Sequence, residues 1–246
     1  MTLLLAAALL FGTQVIIDPP KPKNETKQRE AYQHYVRGQE FLSSERFEQA
    51  AEEFQAATKL DHVFTDAFFG LGQAYMGLRR YASAAQAYER CLSAAQTIFS
   101  MREQNRGRTD QLITDQLRAL REALAQTGKM GAGQRNAVLG IESRIRELER
   151  SKSGMTERFE PPAQVLLALG SAHYRNGDAI AAREHWEHAV KVNSKLGEGW
   201  NNLAVVYMQS GRRDAAEDAI RNAERQGFRV NPRLKDEVKN LGRQGF

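Results

Sequence analysis

The sequence predicts an all-α fold, a solenoid of four helix-turn-helix repeats closed by a capping helix and interrupted by a helical hairpin. Three observations carry this prediction. A pattern of large and small residues recurs at an interval of 34. Within each interval the pattern has helical spacing on both sides of a short turn, as expected for two packed helices. The recurrence is broken once, by 64 extra residues that carry two apolar seams of their own.

The clearest unit runs from Gly197 to Val230, with Trp200, Leu203, Ala204 and Tyr207, a turn at Gly211, then Ala216, Ile220 and Ala223. Thirty-four residues earlier the same places hold Leu166, Leu169, Gly170, His173, Gly177, Ala182, Trp186 and Ala189, in a unit that begins at Ala163. An earlier pair begins at Ala31 and Thr65. Phe68, Leu71, Gly72, Tyr75, Ala84, Tyr88 and Cys91 belong to the second of these, and His34, Gly38, Phe41, Ala50, Phe54 and Ala57 to the first. The first unit has His34 and Arg37 where a large aromatic and a leucine are usual, as suits a terminal unit facing solvent.

A 34-residue helix-turn-helix with W-x2-L-G-x2-Y followed by A-x3-F resembles the tetratricopeptide repeat superfamily, with a bacterial source as the expectation. Packing explains the pattern. Small residues at Gly72, Gly170 and Ala204 let the first helix (A) of a repeat approach the second (B), and the aromatics fill the space between successive hairpins. The proline that often ends such a unit is absent, replaced by His62, Gln96, Ser194 and Phe228.

In chain order, residues 1–17 hold an apolar run, Leu3 to Ile17, broken only by Gly12, Thr13 and Gln14. It is shorter than the roughly 20 residues of a membrane span, and its length fits the apolar core of a secretory signal. No Lys or Arg precedes it and no small-x-small cleavage site follows. The reading is a signal or membrane anchor, which places the protein in the periplasm or on the membrane of a bacterial envelope, with a cytoplasmic setting as the alternative. Residues 18–30 read as a polar Pro/Lys linker. Repeats 1 and 2 occupy 31–98, where the periodicity of Tyr88, Cys91, Leu92, Ala95, Ile98 and Phe99 carries the second B helix on to about Arg102.

Residues 99–162 form the insertion. Ile113, Leu117, Leu120 and Leu124 make one seam and Val138, Ile141, Ile145 and Leu148 another, separated by the glycine-rich stretch Thr127 to Gly133. That pattern predicts an antiparallel helical hairpin, read either as an arm that contacts a partner or as a spacer that packs back on the array. Repeats 3 and 4 occupy 163–230. Residues 231–246 give a capping helix, with Asn231 as N-cap, Pro232 at the first helical place and Leu234, Val238 and Leu241 along one face.

Hydrophobic residues make up 41% of the chain and charged residues 26%, with a net charge of +5. Lys and Arg alternate with Asp and Glu along the helices, the pattern of a solvated surface. The basic clusters Arg79-Arg80, Arg102/Arg106/Arg108 and Arg212-Arg213 are short and lie among acids, which argues against nucleic acid as the main partner; a cytoplasmic nucleic-acid-associated regulator is the alternative function. The lone Cys91 sits at a small-residue core place and admits no internal disulfide. His185 and His188 have a spacing at which two imidazoles reach one metal, but no third ligand and no HExxH order accompany them. His173 stands at an aromatic place inside repeat 3 and reads as a packed residue. With no phosphate-cradling glycine loop, no serine elbow and no paired carboxylates outside helix surfaces, the expectation is a protein that is not an enzyme, uses no cofactor or metal and takes no small-molecule substrate.

The resemblance implies a binding surface. In this superfamily the concave groove, lined by outward places of the A helices, receives an extended or helical peptide. Carried over by spacing, the partner-binding residues are Tyr35 and Gln39, then Phe69, Gln73 and Met76, then Leu167 and Tyr174, then Asn201, Val205 and Met208, flanked by Leu42 and Ser171. Tyr, Phe and Met would anchor apolar side chains, and Gln39, Gln73 and Asn201 would bond a peptide backbone. The expected function is a scaffold or adaptor that holds a protein or peptide partner, with the assembly of an envelope complex as one setting.

Overall fold

In the computed structural model, residues 25–127, 135–152 and 158–241 are described. They form ten α-helices and, among the described residues, no strand: α1 (Glu25–Ser43), α2 (Phe47–Leu60), α3 (Thr65–Gly77), α4 (Tyr81–Thr127), α5 (Arg135–Ser151), α6 (Ala163–Arg175), α7 (Ala179–Val192), α8 (Gly197–Gln209), α9 (Arg213–Arg225) and α10 (Pro232–Asn240). The pairs α1/α2, α3/α4, α6/α7 and α8/α9 are the four repeats. Two units result, one made of the chain up to Ala95 together with the chain from Glu160, the other of Gln96–Phe159.

In the repeat unit, aromatic rings fill sockets left by glycines. Phe54 of α2 lies against Gly38 of α1 and Gly70 of α3, so close that a Cβ added at either glycine would come within 2.7 and 2.6 Å of its ring. Tyr88 fills the same place against Gly72, and Trp186 against Gly170. The Trp186 indole is 2% exposed, and its Nε1 donates to Leu167 O at 3.1 Å. These sockets seed three successive cores. Phe54, Leu71 and Ala87 join repeats 1 and 2. Phe68, Tyr88 and Cys91 meet Val165, Leu169 and Ala172, so repeat 3 stacks directly on repeat 2 despite the insertion between them in sequence. Trp186, Leu203 and Ile220 run on to Leu234 and Val238 of α10, which closes the array.

The turns between A and B helices share a left-handed residue. It is Gly177 (φ 89°) and Gly211 (φ 72°) in repeats 3 and 4, and at the equivalent places Glu45 (φ 56°) and Arg79 (φ 57°) in repeats 1 and 2. Side chains cap two helices: Asp178 accepts from Ala181 N, and Asn231 accepts from Arg233 N ahead of Pro232. In the first repeat Glu53 Oε2 lies 2.7 Å from His34 Nδ1 and accepts from Arg37 Nε at 3.0 Å. Desolvation raises the Glu53 carboxyl, but these two partners outweigh it and hold its pKa below the usual value.

Two expected boundaries differ. Helix α1 begins at Glu25, inside the stretch read as a linker, because Glu25 to Glu30 are mostly good helix formers that need no apolar face to join a helix packed further along. Helix α4 does not end near Arg102 but continues to Thr127, 47 residues in all. The stretch after Arg102 is polar and so without visible period, yet it holds no proline, and a lone exposed Gly107 is tolerated. The first insertion helix is thus the end of α4. In the second unit α4 and α5 pair through Ile113, Leu117 and Leu148, with Leu120 and Ile145 beside them, and an Arg121–Glu149 ion pair at 2.7 Å links the two helices. Most of the expected glycine-rich bend, and residues 1–17, lie outside the described residues.

Candidate protein-binding surface

The A helices α1, α3, α6 and α8 carry the ten residues that the spacing singles out. Leu167 is a correction. It is 5% exposed and belongs to the core cluster with Trp186, Val190 and Leu203, so its aliphatic side chain is spent on packing between repeats 3 and 4. Tyr35 and Phe69 stand at the same place in their repeats and are half-buried. Tyr35 packs on Phe54, Phe64 and Tyr32, with ring centroids 5.0 Å from Phe64. Phe69 packs on Tyr88 at 5.5 Å.

The polar members divide into two groups. Gln73 is exposed, Asn201 is half-buried, and neither side chain bonds another described residue. Gln39, by contrast, lies close enough to the Tyr35 hydroxyl to pull its pKa down against the stronger effect of burial, and Tyr174 is engaged with Gln209, whose Nε2 donates to the Tyr174 hydroxyl at 2.7 Å. That bond ties α6 to α8, and the Tyr174 ring also rests on Trp186 at 5.6 Å. Met76, Val205 and Met208 are half-buried at the edges of the core. Asp66, which spacing does not mark, also belongs to this surface. Burial raises its carboxyl pKa, and the Tyr35 phenol is pushed up by burial first and then by Asp66 and Tyr32.

The other candidates have structural partners. His185 is half-buried and stacks on His173, with centroids 5.2 Å apart and planes 18° from parallel. Burial and then His173 lower the His185 pKa, against an opposing pull from Glu89 and Glu184. Among the described residues no group of three His, Cys, Asp or Glu gathers to hold a metal. In the basic clusters, Arg106 pairs with Glu103 at 2.6 Å, Arg212 lies over the Tyr207 ring, and Arg213 pairs with Glu217 at 2.8 Å. Those cations are neutralised or stacked within the chain.

Stacked helical hairpins with a partly open face of aromatic, methionine and amide side chains define a scaffold for protein–protein interaction, the class in which hairpin arrays present long binding surfaces. The family model described as tetratricopeptide repeat matches residues 35–97 and 167–227, just over half of the 246 residues. The chain belongs to the tetratricopeptide repeat family. Among curated proteins it is 33% identical over 86 residues to the photosystem I assembly protein Ycf3 of Prochlorococcus marinus, covering 34% of this chain and 47% of the relative. It is 32% identical over 60 residues to the protein of the same name from Rippkaea orientalis, covering 24% and 35%. The chain thus spans about half, or less, of the length of these relatives. Similar solved structures include Pseudomonas aeruginosa pilF, at 16% identity over 89% of this chain and 91% of that one with a TM-score of 0.36. Another is YrrB, titled a TPR protein with an unusual peptide-binding site, at 17% identity over 88% and 95% with a TM-score of 0.31.

These relatives correct the expectation of a periplasmic or membrane-anchored protein. Both are named for the assembly of photosystem I, and neither name carries the envelope role that the apolar N-terminus suggested. Among the described residues no helix is long and apolar enough to cross a membrane.

Proposed function

We propose that this chain is a non-catalytic adaptor that holds a protein subunit on its A-helix face while a multi-subunit complex is assembled. The observation that carries the reading is the pairing of unengaged amides with apolar neighbours on one set of helices. Gln73 and Asn201 have no side-chain partner, and Phe69, Met76, Val205 and Met208 lie at helical spacing beside them. An amide both donates and accepts, so two of them can bond an extended peptide backbone while half-buried apolar side chains take up alternate residues of it. The assembly role is supported by the two photosystem I assembly proteins to which part of the chain is similar.

The test compares the intact chain with a Gln73→Arg/Asn201→Arg variant in co-purification from the native cell. Both positions are outside the core, so the variant should keep its helical circular dichroism and its melting temperature. A subunit of a larger complex retained by the intact chain and lost by the variant is the expected result. Equal retention by a variant that folds normally would refute the A-helix face as the docking surface.

A further inference from the structure

The B helices α2 and α4 flank a surface groove of about 250 Å³, with Tyr75 of α3 between them. Drug-sized ligands occupy pockets of about 300–1,000 Å³, so this space fits one or two side chains. Its lining includes Lys59 on α2 and Arg90 on α4, and no acid. Neither cation has an ion-pair partner among the described residues, and Ser83 makes no hydrogen bond there.

The array contains its own control. Repeats 3 and 4 repeat repeats 1 and 2 at an offset of 132 residues, since 163 minus 31 is 132. Tyr207 therefore corresponds to Tyr75 and Glu187 to Gln55. In the later copy the Tyr207 hydroxyl donates to Glu187 Oε1 at 2.8 Å, so the chain itself supplies a carboxylate. In the earlier copy the chain supplies an amide instead, and Gln55 Nε2 donates to the Tyr75 hydroxyl at 2.5 Å. The proton of that hydroxyl is left to be donated elsewhere.

The surrounding places change in the same sense. Ser83 and Arg90 correspond to Ala215 and Asn222, and Gln86 to Asp218, while a lysine stands at both Lys59 and Lys191. The earlier groove thus has two cations and no acid where the later copy has one cation and two acids. What it lacks is the carboxylate that its copy contains.

We propose that this groove binds an acidic segment of a protein partner, taking a side-chain carboxylate at Lys59 and Arg90 with the Ser83 and Tyr75 hydroxyls as further donors. Charge-assisted hydrogen bonds of this type are the strong ones. The cations Lys59 and Arg90 lie on B helices, so the inference goes beyond the A-helix reading and stands without it.

The test uses the full chain and a fluorescein-labelled peptide of alternating Gly and Glu, capped at both ends, read by anisotropy. The Glu peptide should bind, and the same peptide with Gln for Glu should bind at least about tenfold more weakly. Lys59→Gln/Arg90→Gln, at two exposed positions, should lose about tenfold in affinity with an unchanged melting curve. Asn222→Ala in the later copy and Gln73→Arg/Asn201→Arg on the A helices should leave affinity unchanged, which separates this inference from the adaptor reading. Equal binding of the Gln peptide, or undiminished binding by Lys59→Gln/Arg90→Gln, overturns the proposal. So does tighter binding of an uncapped Gly/Gln peptide, which carries only a terminal carboxylate, or of an RNA oligomer of matching charge.

Discussion

Replacing Gly170 with alanine tests the socket on which repeat 3 is built. The added Cβ would lie 2.6 Å from Cδ1 and Nε1 of Trp186 and 3.0 Å from the backbone oxygen of Ala182. The indole is 2% exposed, so it has no free space to rotate into, and the Ala182 carbonyl belongs to α7 and moves only with that helix. Overpacking of this kind costs about 1–3 kcal/mol. Displacing the indole also strains the Nε1 bond to Leu167 O, and a hydrogen bond contributes about 0.5–1.5 kcal/mol net. Alanine recovers about 0.5–1 kcal/mol through its better helix propensity. The balance is a loss of about 2 kcal/mol, or a fall in melting temperature of roughly 4–8 °C for a chain of this size. The assay is thermal unfolding followed by circular dichroism, with Gly107→Ala as the control. A Cβ at Gly107 meets nothing within 4 Å, so that variant gains helix propensity alone and should melt slightly higher. A Gly170→Ala protein that melts at or above the wild-type temperature would refute the socket argument.

Three further outcomes can be measured on the same protein. Arg79 holds a left-handed turn at φ 57° where repeats 3 and 4 have glycine, so Arg79→Gly should raise stability by about 0.5–1 kcal/mol in a urea titration, and a loss would contradict it. His185 has a lowered pKa, so between that value and the ordinary one of about 6.5 the unfolded chain binds a proton that the folded chain does not. Its contribution is complete above the ordinary value and is lost as pH falls below it; His185→Gln should flatten the decline of melting temperature between about pH 7 and pH 5. The Cys91 thiol donates to Thr65 O at 3.3 Å and is pushed up to about 12 by burial and then by Asp66, so a thiol reagent should label it only after denaturant is added; rapid labelling of the native protein would contradict its placement in the core.

Much of the repeat unit is legible in the sequence because its packing reuses one device. A ring at Phe54, Tyr88 or Trp186 needs a small residue opposite, and Gly38, Gly72 and Gly170 recur at the matching interval. What escapes the sequence is whatever carries no period. Glu45 and Arg79 adopt the left-handed turn without the glycine that would announce it, because the packed hairpin imposes the conformation. The continuation of α4 is hidden by a polar stretch in which helix and linker look alike. In the candidate surface, spacing identifies a place on the A helix but not how deep a side chain at that place sits. Tyr35, Phe69, Leu167 and Asn201 share one repeat position, yet only Leu167 is buried in the core while the other three are half-buried. The stack of His173 on His185 is invisible for the same reason, since the two rings come from different helices and neither has a periodic partner.

The insertion obeys the same period, and that makes its removal a test of how the array is held together. The last place of each 34-residue repeat is apolar: Phe64, Ile98, Leu196 and Val230. Ile98 keeps this identity, and is 1% exposed, although α4 runs straight through it while a new helix follows soon after each of the other three. The core of Phe68, Tyr88 and Cys91 with Val165, Leu169 and Ala172 contains nothing from the second unit. Deleting residues 99–162 joins Ile98 to Ala163 and restores the 34-residue interval. Ala95 to Ile98 would then have to form the linker that Asp61–Phe64 and Asn193–Leu196 form elsewhere, with Ile98 in the place of Phe64 and Leu196. The shortened chain should therefore unfold in one cooperative transition close to the wild-type melting temperature, because nearest-neighbour stacking carries the stability of such arrays. Loss of that transition would mean that repeats 2 and 3 depend on the inserted hairpin, and that the core shared by α3, α4 and α6 is insufficient to hold them.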